Sequence, residues 1–177
     1  GAAIKGWLTI DDKTYYFSPE YGYKLTNFIT IEGKKYYLDN DGALQTGWIS
    51  INNTKYYSDS AGVIQTGFIN LDSNTYYFNS NGIMVTGINY IDNYYYGFNS
   101  QGVMLTGLVT LNGRTYNFNG EGKGQVGWTT LNDNIYYFSP EYGYMLKGFA
   151  EINNSKYYFN SDGILTKGWI SVNSHKY

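Results

Sequence analysis

Apolar and polar positions alternate along this chain in short bursts. From Gly47, Ile49 and Ile51 take every second place against Trp48 and Ser50; Asn52 and Asn53 interrupt, and Lys55, Tyr56 and Tyr57 resume the alternation. A period of two marks a half-buried strand, and an Asn-Asn pair tolerates the positive φ of a tight hairpin turn. Equivalent places hold Asp11-Asp12, Glu32-Gly33, Asn112-Gly113 and Asn132-Asp133. Each burst therefore predicts a β-hairpin. A second polar stretch, such as Asn79-Ser80-Asn81-Gly82, supplies a glycine for a left-handed position before a short apolar link, Ile83-Met84, that leads into the next hairpin.

The unit recurs. Its starts fall at Gly6, Asn27, Gly47, Gly67, Gly87, Gly107, Gly127, Gly148 and Gly168, spaced by 20 or 21 residues. Residues 1–177 thus form a single repeat array, and an all-β fold is expected. A lone two-stranded hairpin is at best marginal in water, so each unit must bury its apolar side on its neighbours, as in a β-solenoid. Both ends of the chain fall inside a repeat, which is the expectation for a piece of a longer array.

Alternation also assigns faces. The second apolar place of strand one (Ile10, Ile31, Ile51, Leu71, Ile91, Leu111, Leu131, Ile152, Val172) is expected to face inward. So are the first tyrosine of each pair, from Tyr15 and Tyr36 to Tyr157 and Tyr177, and Phe17, Phe78, Phe98, Phe118, Phe138 and Phe159 two places on. The opposite face then carries outward aromatic pairs, Trp48 with Tyr57 and Trp128 with Tyr137. Two readings of these rings stay open: they meet a ligand, or they pack on the adjacent hairpin. Repeats five and six break the pattern, with Ile88 and Leu108 replacing the aromatic and Gly97 and Asn117 replacing the second tyrosine; altered packing is the favoured reading.

Composition narrows the chemistry. Twelve basic against 14 acidic residues leave a net charge of −2, which offers no footprint for a nucleic-acid backbone. No apolar run is long enough for a membrane span, and the absence of cysteine removes thiolate chemistry and disulfides. The single His175 has no partner for a metal or a nucleophile, and is expected at a turn and exposed. Asp11, Asp12, Glu32, Asp72, Asp92 and Asp133 all stand at hairpin turns, where local hydrogen bonding to backbone amides is expected of them rather than paired acid–base work. Asp39-Asn40-Asp41-Gly42 opens like a calcium loop but lacks its distal glutamate. The expectation is a non-enzyme with no cofactor and no metal.

The segments Ile31–Gly42 and Ile152–Gly163, with their Lys-Tyr-Tyr cores, resemble the cell-wall-binding or choline-binding repeat superfamily over essentially the whole chain. The Lys-Tyr-Tyr-Phe-Asn form is most similar to the short repeats in the receptor-binding region of large clostridial glucosylating toxins. The resemblance implies a secreted or bacterial cell-surface module that recognises cell-surface glycan or choline. Choline-binding members carry a Trp before the Tyr-Tyr pair; here that place holds Thr14, Lys35, Lys55, Thr75, Tyr95, Thr115, Ile135, Lys156 and Lys176. A quaternary ammonium gains about 0.5–2 kcal/mol per well-placed ring, so a cage short of one wall makes choline the second choice.

Two units are one residue longer, through Ser18-Pro19-Glu20-Tyr21-Gly22-Tyr23 and Ser139-Pro140-Glu141-Tyr142-Gly143-Tyr144. Their candidate glycan residues are Tyr21, Tyr23, Tyr142 and Tyr144, with Glu20 and Glu141 as acceptors for sugar hydroxyls. The alternative is that these segments only reshape a turn and cover the neighbouring core. A structural spacer arm, with no small ligand, and dimers formed through exposed strand edges also fit the pattern.

Overall fold

The computed structural model describes residues 4–168, 171–172 and 175–176. Among them there is no helix, only antiparallel hairpins, each a two-stranded sheet of its own. The hairpins are β1 (Gly6–Ile10) with β2 (Lys13–Phe17), β3 (Asn27–Ile31) with β4 (Lys34–Leu38), β5 (Gly47–Ile51) with β6 (Thr54–Ser58), and β7 (Gly67–Leu71) with β8 (Asn74–Phe78). Then follow β9 (Gly87–Ile91) with β10 (Tyr94–Phe98), β11 (Gly107–Leu111) with β12 (Arg114–Phe118), β13 (Gly127–Leu131) with β14 (Asn134–Phe138), and β15 (Gly148–Ile152) with β16 (Ser155–Phe159). A ninth pair joins β17 (Ser171–Val172) to β18 (His175–Lys176). The repeat of about 20 residues is thus one hairpin and its link.

The hairpin turns have both central residues left-handed: φ is 47° and 61° at Asp11 and Asp12, and 48° and 64° at Asn52 and Asn53. That is the turn whose twist matches the strands it joins, and Asn, Asp and Gly are the residues that tolerate it. Asn27 has φ 66° where the other starts use glycine, which explains how it substitutes there.

Side-chain bonds to backbone amides belong to the second turn rather than to the hairpin turn. Asp39 Oδ1 accepts from the Asp41 and Ala43 amides at 2.9 and 2.8 Å, and Asn79, Asn99, Asn119 and Asn160 repeat the arrangement. The role expected of Asp11, Asp12, Glu32, Asp72, Asp92 and Asp133 is corrected accordingly: at tips with positive φ they supply backbone conformation. Asp39 Oδ2 takes the Gln45 amide at 2.9 Å, so the calcium-like opening is a capped turn.

The chain divides into two compact units, Gly1–Val85 and Thr86–Tyr177. In the first, the link after each hairpin bonds back to the hairpin before it: Leu44 N–H donates to Thr14 O, Ile64 N–H to Lys35 O and Met84 N–H to Lys55 O, at 2.8–2.9 Å. In the second, Gly124 N–H donates to Tyr95 O, Met145 N–H to Thr115 O and Leu165 N–H to Ile135 O, at 2.7–2.8 Å. Each link thereby closes the exposed edge of one hairpin and delivers apolar side chains, such as Ile64 and Met145, to the core.

The core follows the last residue of the second strands from β4 to β16, whereas Phe17 at the same place in β2 is only half-buried, against the expectation. Phe78, Phe98, Phe138 and Phe159 are 0 % exposed, and Leu38 and Ser58 fill the same place, Ser58 Oγ donating to Gln45 O at 3.0 Å. The isoleucine column is less buried than expected. Ile91 and Ile152 are buried, but Ile31, Ile51, Leu71, Leu111 and Leu131 are half-buried and Ile10 is exposed. All of them pair at the hairpin tip, Ile10 opposite Lys13 and Ile152 opposite Ser155, away from the closing residue that the link bridges, so register leaves their burial to what each tip meets. His175 stands in β18 opposite Val172, not in the turn; its exposure and the burial of Val172 and Tyr177 lie outside the described residues.

Repeats five and six pack differently from the rest at the place of the second tyrosine. A Cβ on Gly97 would lie 2.7 Å from the Phe118 ring, so Phe118 fills the volume where a second tyrosine would stand, beside Ile88. Tyr96 and Tyr116 are correspondingly among the buried residues.

Candidate functional site

Two kinds of aromatic assembly project from this scaffold. The first joins successive hairpins. At Trp7, Phe28, Trp48 and Trp128 the aromatic after the start residue pairs across its own strands with the second tyrosine and reaches forward to the first tyrosine of the next hairpin. Trp48 lies 5.4 Å from Tyr57 and 5.0 Å from Tyr76; Trp128 lies 5.0 Å from Tyr137 and 4.9 Å from Tyr157; Trp7 lies 4.8 Å from Tyr16 and 5.0 Å from Tyr36. All six contacts are edge-to-face, within the range where ring quadrupoles attract. Trp48 and Trp128 nonetheless stay 45 % and 44 % exposed. Of the two readings left open by the sequence, packing on the neighbour is what the rings do, and each still presents a face to solvent.

Alternation alone assigns the forward tyrosine to the core. Its membership of the cluster was legible only as a constant spacing of 28 or 29 residues from the preceding aromatic, as from Trp48 to Tyr76 or Trp7 to Tyr36. The Phe28 cluster departs from the rest. Phe28 lies 4.9 Å from Tyr37 and 5.0 Å from Tyr56, and Lys35 Nζ sits over it at 4.3 Å.

The second assembly is built by the longer turns. The extra residue moves the closing bond one place on: Ser18 N–H donates to Tyr23 O and Ser139 N–H to Tyr144 O, whereas an ordinary turn closes from Asp39 to Ala43. Ser18 Oγ and Ser139 Oγ accept from the Tyr21 and Tyr142 amides at 3.2 Å, the serine taking over the Asx role. Gly22 and Gly143, at φ 74° and 77°, bend the chain between the two tyrosines. Tyr21 and Tyr23 end 5.9 Å apart and 9° from parallel; Tyr142 and Tyr144 end 5.6 Å apart and 18° from parallel. These are the sequence-predicted candidates, and the turn brings each pair together.

The adjacent carboxylates act on the outer phenols. A hydrogen bond with Glu20 is the main cause that lifts Tyr21 above its ordinary pKa, and a hydrogen bond with Glu141 does the same for Tyr142. Both phenols are therefore neutral in the physiological range. At the second pair, the Arg114 guanidinium stands 4.4 Å over the Tyr144 ring, and the Tyr95 hydroxyl donates to Glu141 O. The Tyr95 ring lies against Gly143, where a Cβ would come within 2.7 Å of it. The irregular tyrosine of repeat five is thus a brace for the second long turn.

Comparison with known families decides the class. The family described as "Putative cell wall binding repeat" matches residues 5–19, 26–44, 46–64, 66–84 and 147–165, just over half of the chain. This chain belongs to that family. The matched cell wall binding repeats are hairpins one to four and hairpin eight, so the aromatic clusters of Trp7, Phe28 and Trp48 all fall inside them.

Among solved structures, the repeats are similar to choline binding protein F from Streptococcus pneumoniae, at 27% identity and a TM-score of 0.76, over 93% of this chain and 58% of that one. The same protein in the presence of a peptidoglycan analogue matches at 29% identity and 0.73, over 87% and 56%. The choline-binding domain of CbpL from Streptococcus pneumoniae matches at 27% and 0.65, over 92% and 87%. This chain thus spans under three-fifths of choline binding protein F. No curated protein sequence matches it significantly. Cell wall binding repeats of this kind form binding modules, and no described helix is long and apolar enough to cross a membrane.

Proposed function

We propose that this array is a non-catalytic attachment module, a solenoid of hairpins on a secreted or surface protein, that binds cell-surface carbohydrate through the paired tyrosines of its two long turns. The observation that carries this reading is the Tyr21–Tyr23 pair: two parallel rings, 67 % and 57 % exposed, with a carboxylate at the edge. Six ordinary turns close without such rings, so folding does not require them. Flat apolar faces beside hydrogen-bonding groups suit the faces and hydroxyls of a sugar. Single sites of this kind are weak; linked sites gain about 10²–10⁴ in avidity without new contacts. The likeness of the Lys-Tyr-Tyr-Phe-Asn units to toxin receptor-binding repeats supports a host glycan as the target.

The deciding measurement is a glycan array probed with the wild-type chain and with a Tyr21→Ala/Tyr142→Ala double variant. Binding by the wild type, lost in a double variant of equal melting temperature, is expected. A wild-type chain that binds no glycan overturns the reading.

One observation favours choline as a second reading. The Phe28–Tyr56 ring pair already holds an ammonium group, that of Lys35, and the structural relatives at 27–29% identity include proteins named for choline binding. A ligand that binds only the native state raises the melting temperature. Choline should then raise it, and an unmoved melt removes this reading.

A further inference from the structure

The ring pair that joins successive hairpins has a seat for a cation, and in the second hairpin the protein fills it. Lys35 Nζ stands 4.3 Å from the Phe28 centroid and 5.6 Å from that of Tyr56, both inside the roughly 6 Å over which a ring face attracts an ammonium group. The same nitrogen donates to Asn81 O at 2.9 Å. One lysine therefore ties together its own strand β4, a tyrosine of the third hairpin and the turn that follows the fourth.

Two further facts have the same cause. Phe28 is half-buried, whereas Trp7, Trp48, Phe68, Trp128 and Phe149 at the equivalent place are exposed. Lys35 is half-buried, whereas Lys55 and Lys156 at its own place are exposed. The lysine covers the ring, and the ring covers the lysine.

We propose that Lys35 is an internal ligand: its ammonium occupies the Phe28–Tyr56 seat and excludes an external quaternary ammonium from it. The open seats are then Trp7–Tyr36 and Trp128–Tyr157, where Thr14 and Ile135 stand in place of the lysine, and Trp48–Tyr76, where Lys55 is turned to solvent. A tethered group competes at an effective concentration in the millimolar range, enough to hold off a ligand of similar intrinsic strength. A trimethylammonium also has no N–H to give, so a ligand that displaced Lys35 could not replace its bond to the exposed Asn81 carbonyl. The ligand class rests on the choline reading above; occupancy by Lys35 does not.

The experiment is NMR on the intact chain, wild type and Lys35→Thr, threonine being the residue at positions 14, 75 and 115. In the wild type, ring currents should move the Lys35 ε-methylene protons upfield of those of Lys55 and Lys156. Excess choline should shift the Trp48 and Trp128 indole N–H signals but not the Phe28 ring, and in the Lys35→Thr variant it should shift Phe28 and Tyr56 as well. An unshifted Lys35 signal, a wild-type Phe28 that responds as Trp48 does, or a variant Phe28 that stays silent while Trp48 responds each overturns the proposal. If no ring responds in either protein, the choline reading fails, and the Lys35 signal alone decides whether the seat is occupied.

Discussion

The segments Ser18–Tyr23 and Ser139–Tyr144 share the sequence Ser-Pro-Glu-Tyr-Gly-Tyr and fold alike, yet stand in different surroundings. Both close through the same serine amide, and both set their tyrosines within 18° of parallel. At the second, Tyr95 braces the turn and Arg114 covers a face of Tyr144; at the first, both rings are largely exposed, and Lys24, next to Tyr23 in sequence, lies over Tyr15 instead. Ring alignment is therefore a property of the six-residue segment itself. The neighbours decide only how much of each ring a ligand could reach.

Four variants, with Gly33→Ala as a control for the first, test that division from the largest expected effect to the smallest. Gly143→Ala combines a left-handed backbone, about 1–2 kcal/mol, with displacement of the Tyr95 ring, about 1–3 kcal/mol. Gly33→Ala, at φ 76° with nothing within 4 Å, should show the backbone part alone in a denaturant melt. If the two cost the same, Tyr95 does not brace the turn.

Tyr95→Phe removes one hydrogen bond, about 1 kcal/mol, and should change the alkaline limb of stability. Burial is the first cause that holds the Tyr95 phenol above its ordinary 10.0, so the fold favours the protonated form. That contribution is complete below pH 10 and is lost as pH rises through the folded value. The wild type should lose melting temperature faster than the variant above that point. Parallel curves would contradict the assignment.

Arg114→Ala should cost about 0.5–1 kcal/mol and uncover Tyr144. Its prediction is tighter glycan binding at the second turn and no change at the first, read from the Tyr142 and Tyr21 ring signals. Tyr21→Ala should leave stability within about 0.5 kcal/mol while removing binding at the first turn. A large loss of stability would mean that the ring is structural after all.

What the sequence made legible follows from what repeats. Turn residues at a fixed spacing and alternation by two set the hairpins, their register and the phenylalanine column, because each depends on local geometry. Ile10 shows the limit: alternation says which face a residue takes, but not how far along the hairpin the neighbour reaches. In the sequence, Lys35 and Tyr95 are only departures at the place before the tyrosine pair. Their partners, Asn81 and Glu141, lie 46 residues away, and no local pattern points across that gap.

The backward bond of each link also bears on how the array yields to force. Ile64 grips Lys35 and Leu44 grips Thr14, so within the first unit a hairpin is held by the segment that follows its successor. Under tension from the C-terminal side, a repeat can peel only after the latch behind it has opened, so rupture should proceed one latch at a time. Each step would release about 20 residues, roughly 70 Å of extended chain, giving a sawtooth of even teeth in single-molecule pulling. In the attachment role proposed above, such an array would give ground gradually under shear while its remaining repeats stayed folded.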